Sequence, residues 1–233
     1  MTPHADTPAR AALFDVDGTL VDTNYLHAVT WWEAFHQAGH TVAMTDIHHS
    51  LGMSTDRLLD RLLGEDRDKD GDEAISSAHT ALYATWFDRL PALAGAGDLL
   101  RELAARHWRV VLVTSARSSE LAVMRRAIGA DDAIHDATSG DDVESGKPAP
   151  DPVQQGLERA GVPAGRALFV GDSVWDVKAA ARAGVDCVAL LTGGIARAEL
   201  EEAGAVAVHR DPAELLAALD DSPFGRLDQG HIR

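Results

Sequence analysis

The chain has 233 residues, 45% of them hydrophobic, and carries 37 acidic side chains against 21 Lys and Arg, a formal charge of −16. That length suits one large domain, or a domain with a smaller one inserted. No apolar run reaches the length of a membrane span, and so acidic a surface disfavours nucleic acid and anionic membranes as partners. An anionic small substrate would need a local island of positive charge. The single cysteine, Cys187, cannot close an internal disulfide; it sits in an apolar run and reads as a plain buried residue.

Residues 1–9, with Pro3 and Pro8 and no periodicity, read as a disordered lead-in without a charged-then-apolar leader, so a cytoplasmic location is expected. Residues 11–14 (AALF) form a short apolar run that ends in Asp15, Asp17, Gly18 and Thr19, the pattern of a buried parallel strand ending in a turn. From residue 23 to residue 90 the texture is helical. Leu26, Val29, Ala34 and Phe35 share one face of a first helix, with Trp31 and Trp32 alongside. A second helix is expected over 56–63, capped by Ser54 or Thr55, and a third over 74–90, stopped by Pro91. Between them, residues 64–73 (GEDRDKDGDE) read as a charged, solvated turn. Their acid spacing lacks the ligand pattern and terminal glutamate of a calcium loop.

After Gly97 the texture alternates. Helices are expected over 98–106, 118–128, 152–160, 175–183, 197–203 and 212–219, and strands over 109–114, 133–138, 166–170, 187–191 and 205–208. Such alternation implies right-handed crossovers and a parallel sheet covered by helices on both faces. The helical block follows directly on the first strand and therefore reads as an inserted smaller domain. Residues 222–233 read as a loose tail.

In an open α/β sheet, ligands sit outside the carboxyl ends of the strands. Asp15 and Asp17 end the first strand, Thr114 and Ser115 the second, and Asp172 the fourth, with Asp176 one helical turn further on. Lys147 lies in the loop GKPAPD just ahead of a helix. Carboxylates without His or Cys favour a hard cation such as Mg²⁺, which would hold several acids ionised together and attract a phosphate. Phosphoryl transfer needs a nucleophile, a charge clamp and a proton donor for the leaving oxygen. Asp15 has the chemistry of the first and Asp17 of the last, while Lys147 and the backbone amides near Ser115 can neutralise phosphoryl oxygens. Each residue also has a plainer account. Asp172 and Asp176 suit a helix cap and first turn, Thr114 suits a strand end, and Lys147 suits a solvated loop.

The segments DVDGTLVD, LVTSA, GKPAPD and VGDSVWD resemble, in order, the four motifs of the haloacid dehalogenase superfamily of phosphohydrolases, over residues 11–219. The helical insertion after the first strand is similar to the cap of the subgroup that contains phosphoglycolate phosphatases and β-phosphoglucomutase. The resemblance implies a Rossmann-like parallel α/β core (1–22 and 92–222) flanked by helices, an inserted all-helical cap (23–91) and a tail (223–233), with hinges near Asp22 and near 91–97. It makes Asp15 the nucleophile and Asp17 the general acid/base, whose backbone carbonyl is also a metal ligand. Thr114 and Lys147 would hold the phosphoryl group, Asp172 would bind Mg²⁺, and Asp176 would support the metal site.

Departures narrow the subclass. Dehalogenases of this superfamily lack the second acid, so Asp17 argues against dehalogenation. The only cap lysine, Lys69, lies in the charged turn, a poor place for a Schiff-base amine. Thr23 and His27 resemble a threonine and a histidine that β-phosphoglucomutase places near the second acid. The cap arginine and lysine with which that enzyme grips a distal phosphate align instead with Thr55 and His79. The expectation is therefore a phosphatase acting through an aspartyl-phosphate on a small phosphorylated metabolite, as a monomer or dimer. A sugar-phosphate mutase is the alternative, and a non-catalytic regulatory protein on the same fold stands third. Ser115, Arg117, Thr23 and His27 are candidate substrate contacts, with Arg117 equally suited to an outward-facing cap charge and His27 to packing on the tryptophans. His48 and His49 precede a candidate specificity loop, His79 is expected on a helix surface, and Trp175 stands between Asp172 and Asp176.

Overall fold

A computed structural model of the chain describes residues 9–142 and 145–228. Residues 1–8, most of the expected lead-in, lie outside the described residues. Six strands, β1 (Arg10–Phe14), β2 (Trp108–Val113), β3 (Ile134–Thr138), β4 (Ala167–Gly171), β5 (Asp186–Leu190) and β6 (Ala207–His209), form one parallel sheet in the order β3-β2-β1-β4-β5-β6. The chain fills one side of β1 with β2 and β3, then returns to the other with β4 to β6. The strand order thus reverses at β1, and the crevice for a ligand opens at its carboxyl end.

The apolar runs in the strands follow from burial on both faces. Ala12, Phe14, Val110, Leu112, Leu168 and Val170 point into one core layer, beneath α5 (Ala96–Ala105) and α6 (Ser118–Ile128). Their alternates Ala11, Leu13, Val111, Val113 and Phe169 point into the other, beneath α7 (Asp151–Ala160), α8 (Val174–Arg182) and α9 (Arg197–Ala203). Cys187 is buried in this second layer, as expected.

Between β1 and β2 stands the helical cap, made of α1 (Asn24–Gln37), α2 (Met44–His48), α3 (Thr55–Leu63) and α4 (Asp72–Ala84), with a core of its own around Trp31, Phe35, Ile47, Leu58, Leu59 and Ile75. Helix α2 has no sequence signal because five residues are too few to show a period. Helix α4 starts inside the expected turn and stops at Ala84, well short of Pro91. The Thr85 hydroxyl donates to Leu82 O at 2.7 Å there, and a 3₁₀ turn over Phe87–Arg89 follows. The remaining turn is clipped together by Arg67, which reaches Asp60 Oδ1 at 2.7 Å and Asp72, and by Lys69, 2.8 Å from Asp60. Both crossings between core and cap run side by side: Val21 bridges Ala92, Asp22 N–H donates to Pro91 O at 3.0 Å, and Leu93 N–H to Leu20 O at 2.9 Å.

The expected loose tail is corrected. After α10 (Pro212–Ala217), residues Pro223–Asp228 form α11, and Phe224 is fully buried, edge-on to Trp108 with ring centroids 5.0 Å apart. Ser222 Oγ accepts the Phe224 N–H at 3.1 Å, and Pro223 sits at the first helical position, where its missing donor costs nothing. Residues 229–233 lie outside the described residues. No helix among the described residues is long and apolar enough to cross a membrane.

Candidate active site

The first strand delivers its acids to the switch point by running out of sheet. Asp15 still donates its N–H to Val170 O at 2.9 Å, and the chain then turns over residues 16–21. Gly18, at φ +72°, lets that turn pass close to Asp172 and Asn24; a Cβ there would overlap both side chains. Asp15 is buried, and its Oδ1 accepts from Lys147 Nζ at 2.6 Å. Lys147 has no exposed surface and also lies 2.7 Å from Asp176 Oδ1. Burial alone would lower the Lys147 ammonium, but Asp15 and Asp176 outweigh it and hold the charge.

Asp15, Asp172 and Asp176 each bring a carboxylate oxygen within 4.8 Å of the others, all three buried. The crowding disfavours ionisation of the acids. Burial pushes the Asp15 carboxyl well above its usual range, with Asp176 and Asp172 adding to the effect and Lys147 opposing it. Asp172 is pushed up to about 7, chiefly by burial and then by Asp176, against hydrogen bonds from Asn24 and Thr19. Three buried oxygen donors with one lysine among them are under-neutralised, and a hard divalent cation fits that donor set.

Helix α8 explains where Asp176 points. Ser173 is its N-cap: Ser173 Oγ accepts from Asp176 N–H at 3.3 Å, while Asp176 Oδ2 accepts from Ser173 N–H at 3.1 Å and Oγ at 2.6 Å. The capping role considered for Asp172 therefore belongs to Ser173. Asp172 instead accepts from Thr19 Oγ1 at 2.9 Å and from Asn24 Nδ2 at 2.7 Å. Neither Thr19 nor Asn24 is evident from sequence, since their role depends on a partner about 150 residues away.

Asp17 turns away from the acid cluster. Its Oδ1 accepts from Thr23 Oγ1 at 2.7 Å and lies 3.1 Å from His27 Nε2. Burial would raise its pKa, but the His27 hydrogen bond and charge, together with the Thr23 hydroxyl, bring it below the usual carboxylate value. The other ring nitrogen of His27, Nδ1, lies 3.1 Å from His79 Nε2. His79, expected on a surface, is buried and stacks on Trp31 with ring centroids 4.0 Å apart. Its burial lowers its pKa to about 2, so the ring is neutral. The correction has a simple cause: His79 and Tyr83 fall on the inward face of α4, four residues apart.

Thr114 follows the last residue of β2. Its Oγ1 accepts the Ala116 N–H at 3.0 Å and lies 3.5 Å from Asp17 Oδ2. Ser115 Oγ is buried and, among the described residues, has no hydrogen-bond partner. Such a hydroxyl is costly unless something else satisfies it. Together these groups line a cavity of about 90 Å³ that contains Asp15, Asp17, His27, Thr114 and Ser115, closed from the cap side by Trp31, Leu51, Met53, Leu58 and His79. Arg117 is not part of it. Exposed on the N-terminal side of α6, it lines an adjoining opening with Arg57 and Asp141. One lining residue had no sequence signal as a site group: Glu120, buried in the third position of α6, where its Oε2 accepts the Arg117 N–H at 3.3 Å.

The haloacid dehalogenase-like hydrolase family matches residues 9–184. A phosphoglycolate phosphatase of Rhodospirillum rubrum is 33% identical over 217 residues, covering 88% of this chain and 89% of the relative. Among solved structures, a hydrolase from Pseudomonas syringae superposes with a TM-score of 0.86 at 34% identity, covering 91% of this chain and 98% of the other. CbbY from Rhodobacter sphaeroides, solved in complex with phosphate, gives 0.75 at 28% identity, covering 91% and 100%. With its carboxylates gathered at the switch point of a parallel sheet beneath a helical cap, this chain belongs to the haloacid dehalogenase-like hydrolase family.

Proposed function

We propose that this chain is a phosphatase that hydrolyses a small phosphorylated metabolite in two steps, with Asp15 as nucleophile and Mg²⁺ as its cation. The observation that carries the reading is the contact of the buried Asp15 carboxyl with the buried Lys147 ammonium, in a cavity that Ser115, whose hydroxyl has no partner among the described residues, also lines. A carboxylate in that position attacks phosphorus, and the ammonium and hydroxyl bind the equatorial oxygens while charge redistributes over them. Thr114, whose oxygen accepts the Ala116 N–H and whose hydroxyl faces Asp17 Oδ2 at 3.5 Å, lines the same cavity and would turn to the phosphoryl group once it is bound.

Asp17 manages the proton. The His27 and Thr23 hydrogen bonds hold it ionised at rest, the state that deprotonates the water of the second step. A phosphate dianion arriving beside it raises its affinity for a proton, as a like charge does; Asp17 takes that proton from solvent before the cap closes, gives it to the leaving oxygen, and is ionised again for the second step. Asp15, Asp172 and Asp176 are the side chains that would hold Mg²⁺, with the backbone carbonyl of Asp17 completing the protein ligands. What Mg²⁺ supplies there is neutralisation of the carboxylates and of the phosphoryl oxygens. The paired crossings at Val21 and Ala92 serve as the hinge on which the cap opens for exchange and closes to exclude water.

A screen of phosphorylated metabolites for phosphate release, run with Mg²⁺ and with chelator, tests this reading. Release is expected only with the cation, and Asp15→Asn should abolish it. An Asp15→Asn enzyme with most of its activity intact would refute the mechanism.

A further inference from the structure

The chamber beside Asp15 and Asp17 receives whatever the phosphoryl group is attached to, and its walls restrict the chemistry of that part. No Lys or Arg among the described residues lines it. Its cap wall is mostly apolar, from Trp31, Leu51, Met53 and Leu58, with Thr55 and His79 completing it. His79 is neutral, and both ring nitrogens of His27 are engaged, one by Asp17 and one by His79. Asn24 directs its Nδ2 to Asp172. On the core side stands a second acid, the buried carboxyl of Glu120.

We propose that the substrate is the phosphomonoester of a neutral, hydroxyl-bearing small alcohol, and that Glu120 is the residue that selects its hydroxyl over a carboxylate. The proposal rests on the phosphatase reading above. A carboxylate in this chamber would be desolvated with no Lys or Arg to meet it and with both nitrogens of His27 already taken by Asp17 and His79, a costly way to bury a group. It would also face Glu120. An ionised Glu120 repels it, and only a protonated Glu120 can donate to it. A hydroxyl both donates and accepts, so it pairs with Glu120 in either state. Arg57 and Arg117, exposed in the adjoining opening, draw phosphorylated anions to the mouth, and neither lines the chamber itself.

Matched pairs of substrates test this, each differing in a hydroxymethyl group against a carboxylate: hydroxyethyl phosphate against phosphoglycolate, and glycerol phosphate against phosphoglycerate, with p-nitrophenyl phosphate as the common reference. The hydroxyl member of each pair should have the higher kcat/KM by at least about tenfold, the scale expected when a carboxylate finds no partner in the site. Glu120→Gln keeps the acceptor for the Arg117 N–H and so preserves the start of α6. It should shrink that ratio at least about threefold without lowering the melting temperature. A preference for the carboxylate members, or a ratio that Glu120→Gln does not move, overturns the proposal and leaves the phosphatase reading standing. Phosphate release from none of the five compounds overturns both.

Discussion

His79 shows how much a single side chain can reveal at the residue scale. A histidine buried on Trp31, with His27 as its polar partner, cannot take up a proton in the folded protein until about pH 2, whereas it does so near 6.5 once unfolded. Between those values the unfolded chain binds the extra proton. Stability therefore falls as pH is lowered through 6.5, by up to about 1.4 kcal/mol per pH unit from this group. The elevated Asp15 and Asp172 act with the opposite sign, because there the folded state holds the proton. Their shared contribution cancels when wild type and a His79→Gln variant are compared in the same buffer. Urea unfolding from pH 7 to pH 4.5 should show the variant losing less stability than wild type; parallel curves would contradict a neutral, buried His79.

Helix α11 is the corresponding lesson for an element. Six residues near the end of the described chain close the core layer beneath β2 by placing Phe224 against Trp108. The side chain is fully buried, and truncating a buried Phe costs about 3–5 kcal/mol in lost transfer energy and cavity formation. Phe224→Ala should lower the denaturation midpoint accordingly, with little change in KM because the helix lies far from the acids. A loss under about 1 kcal/mol would mean that the segment packs only loosely. The short Ser222-Pro223 signature that starts this helix is legible in hindsight, but only burial tells a capped helix from a polar tail.

Across the whole molecule, a few direct contacts tie the cap to the core. His48 Nε2 lies 2.8 Å from Gly193 O, and Trp175 Nε1 donates to His49 O at 3.0 Å. Gly52, at φ +89°, approaches Ser173 so closely that a Cβ would press on its hydroxyl. These contacts lie at the border of the acid cluster, where Ser173 also holds Asp176, and on the proposed hinge they favour the closed cap. Removing one such hydrogen bond costs about 1 kcal/mol, or about a fivefold drop in the closed population. His48→Ala should therefore reduce kcat/KM several-fold while the melting temperature stays within a degree or two of wild type. An unchanged kcat/KM would remove this contact from the closing interface.

The sequence by itself determined the parallel sheet and the chemistry at its edge. Short apolar runs bounded by turn residues and alternating with helical segments fit buried parallel strands, and acids that follow such runs then lie at their carboxyl ends. Asp15 and Asp172 were therefore expected at strand ends, while Asp176 and Lys147 joined them through the motif resemblance, and the three acids and the lysine do meet. Packing, and nothing in the local pattern, set the relations between residues that share no period. Asn24 and Thr19 orient Asp172, Ser173 rather than Asp172 caps α8, His79 stands inside the cap, and Glu120 enters the chamber. The physical reason is common to all of these. Periodicity reports which face of an element is buried, but not which partner from a distant element that face will meet.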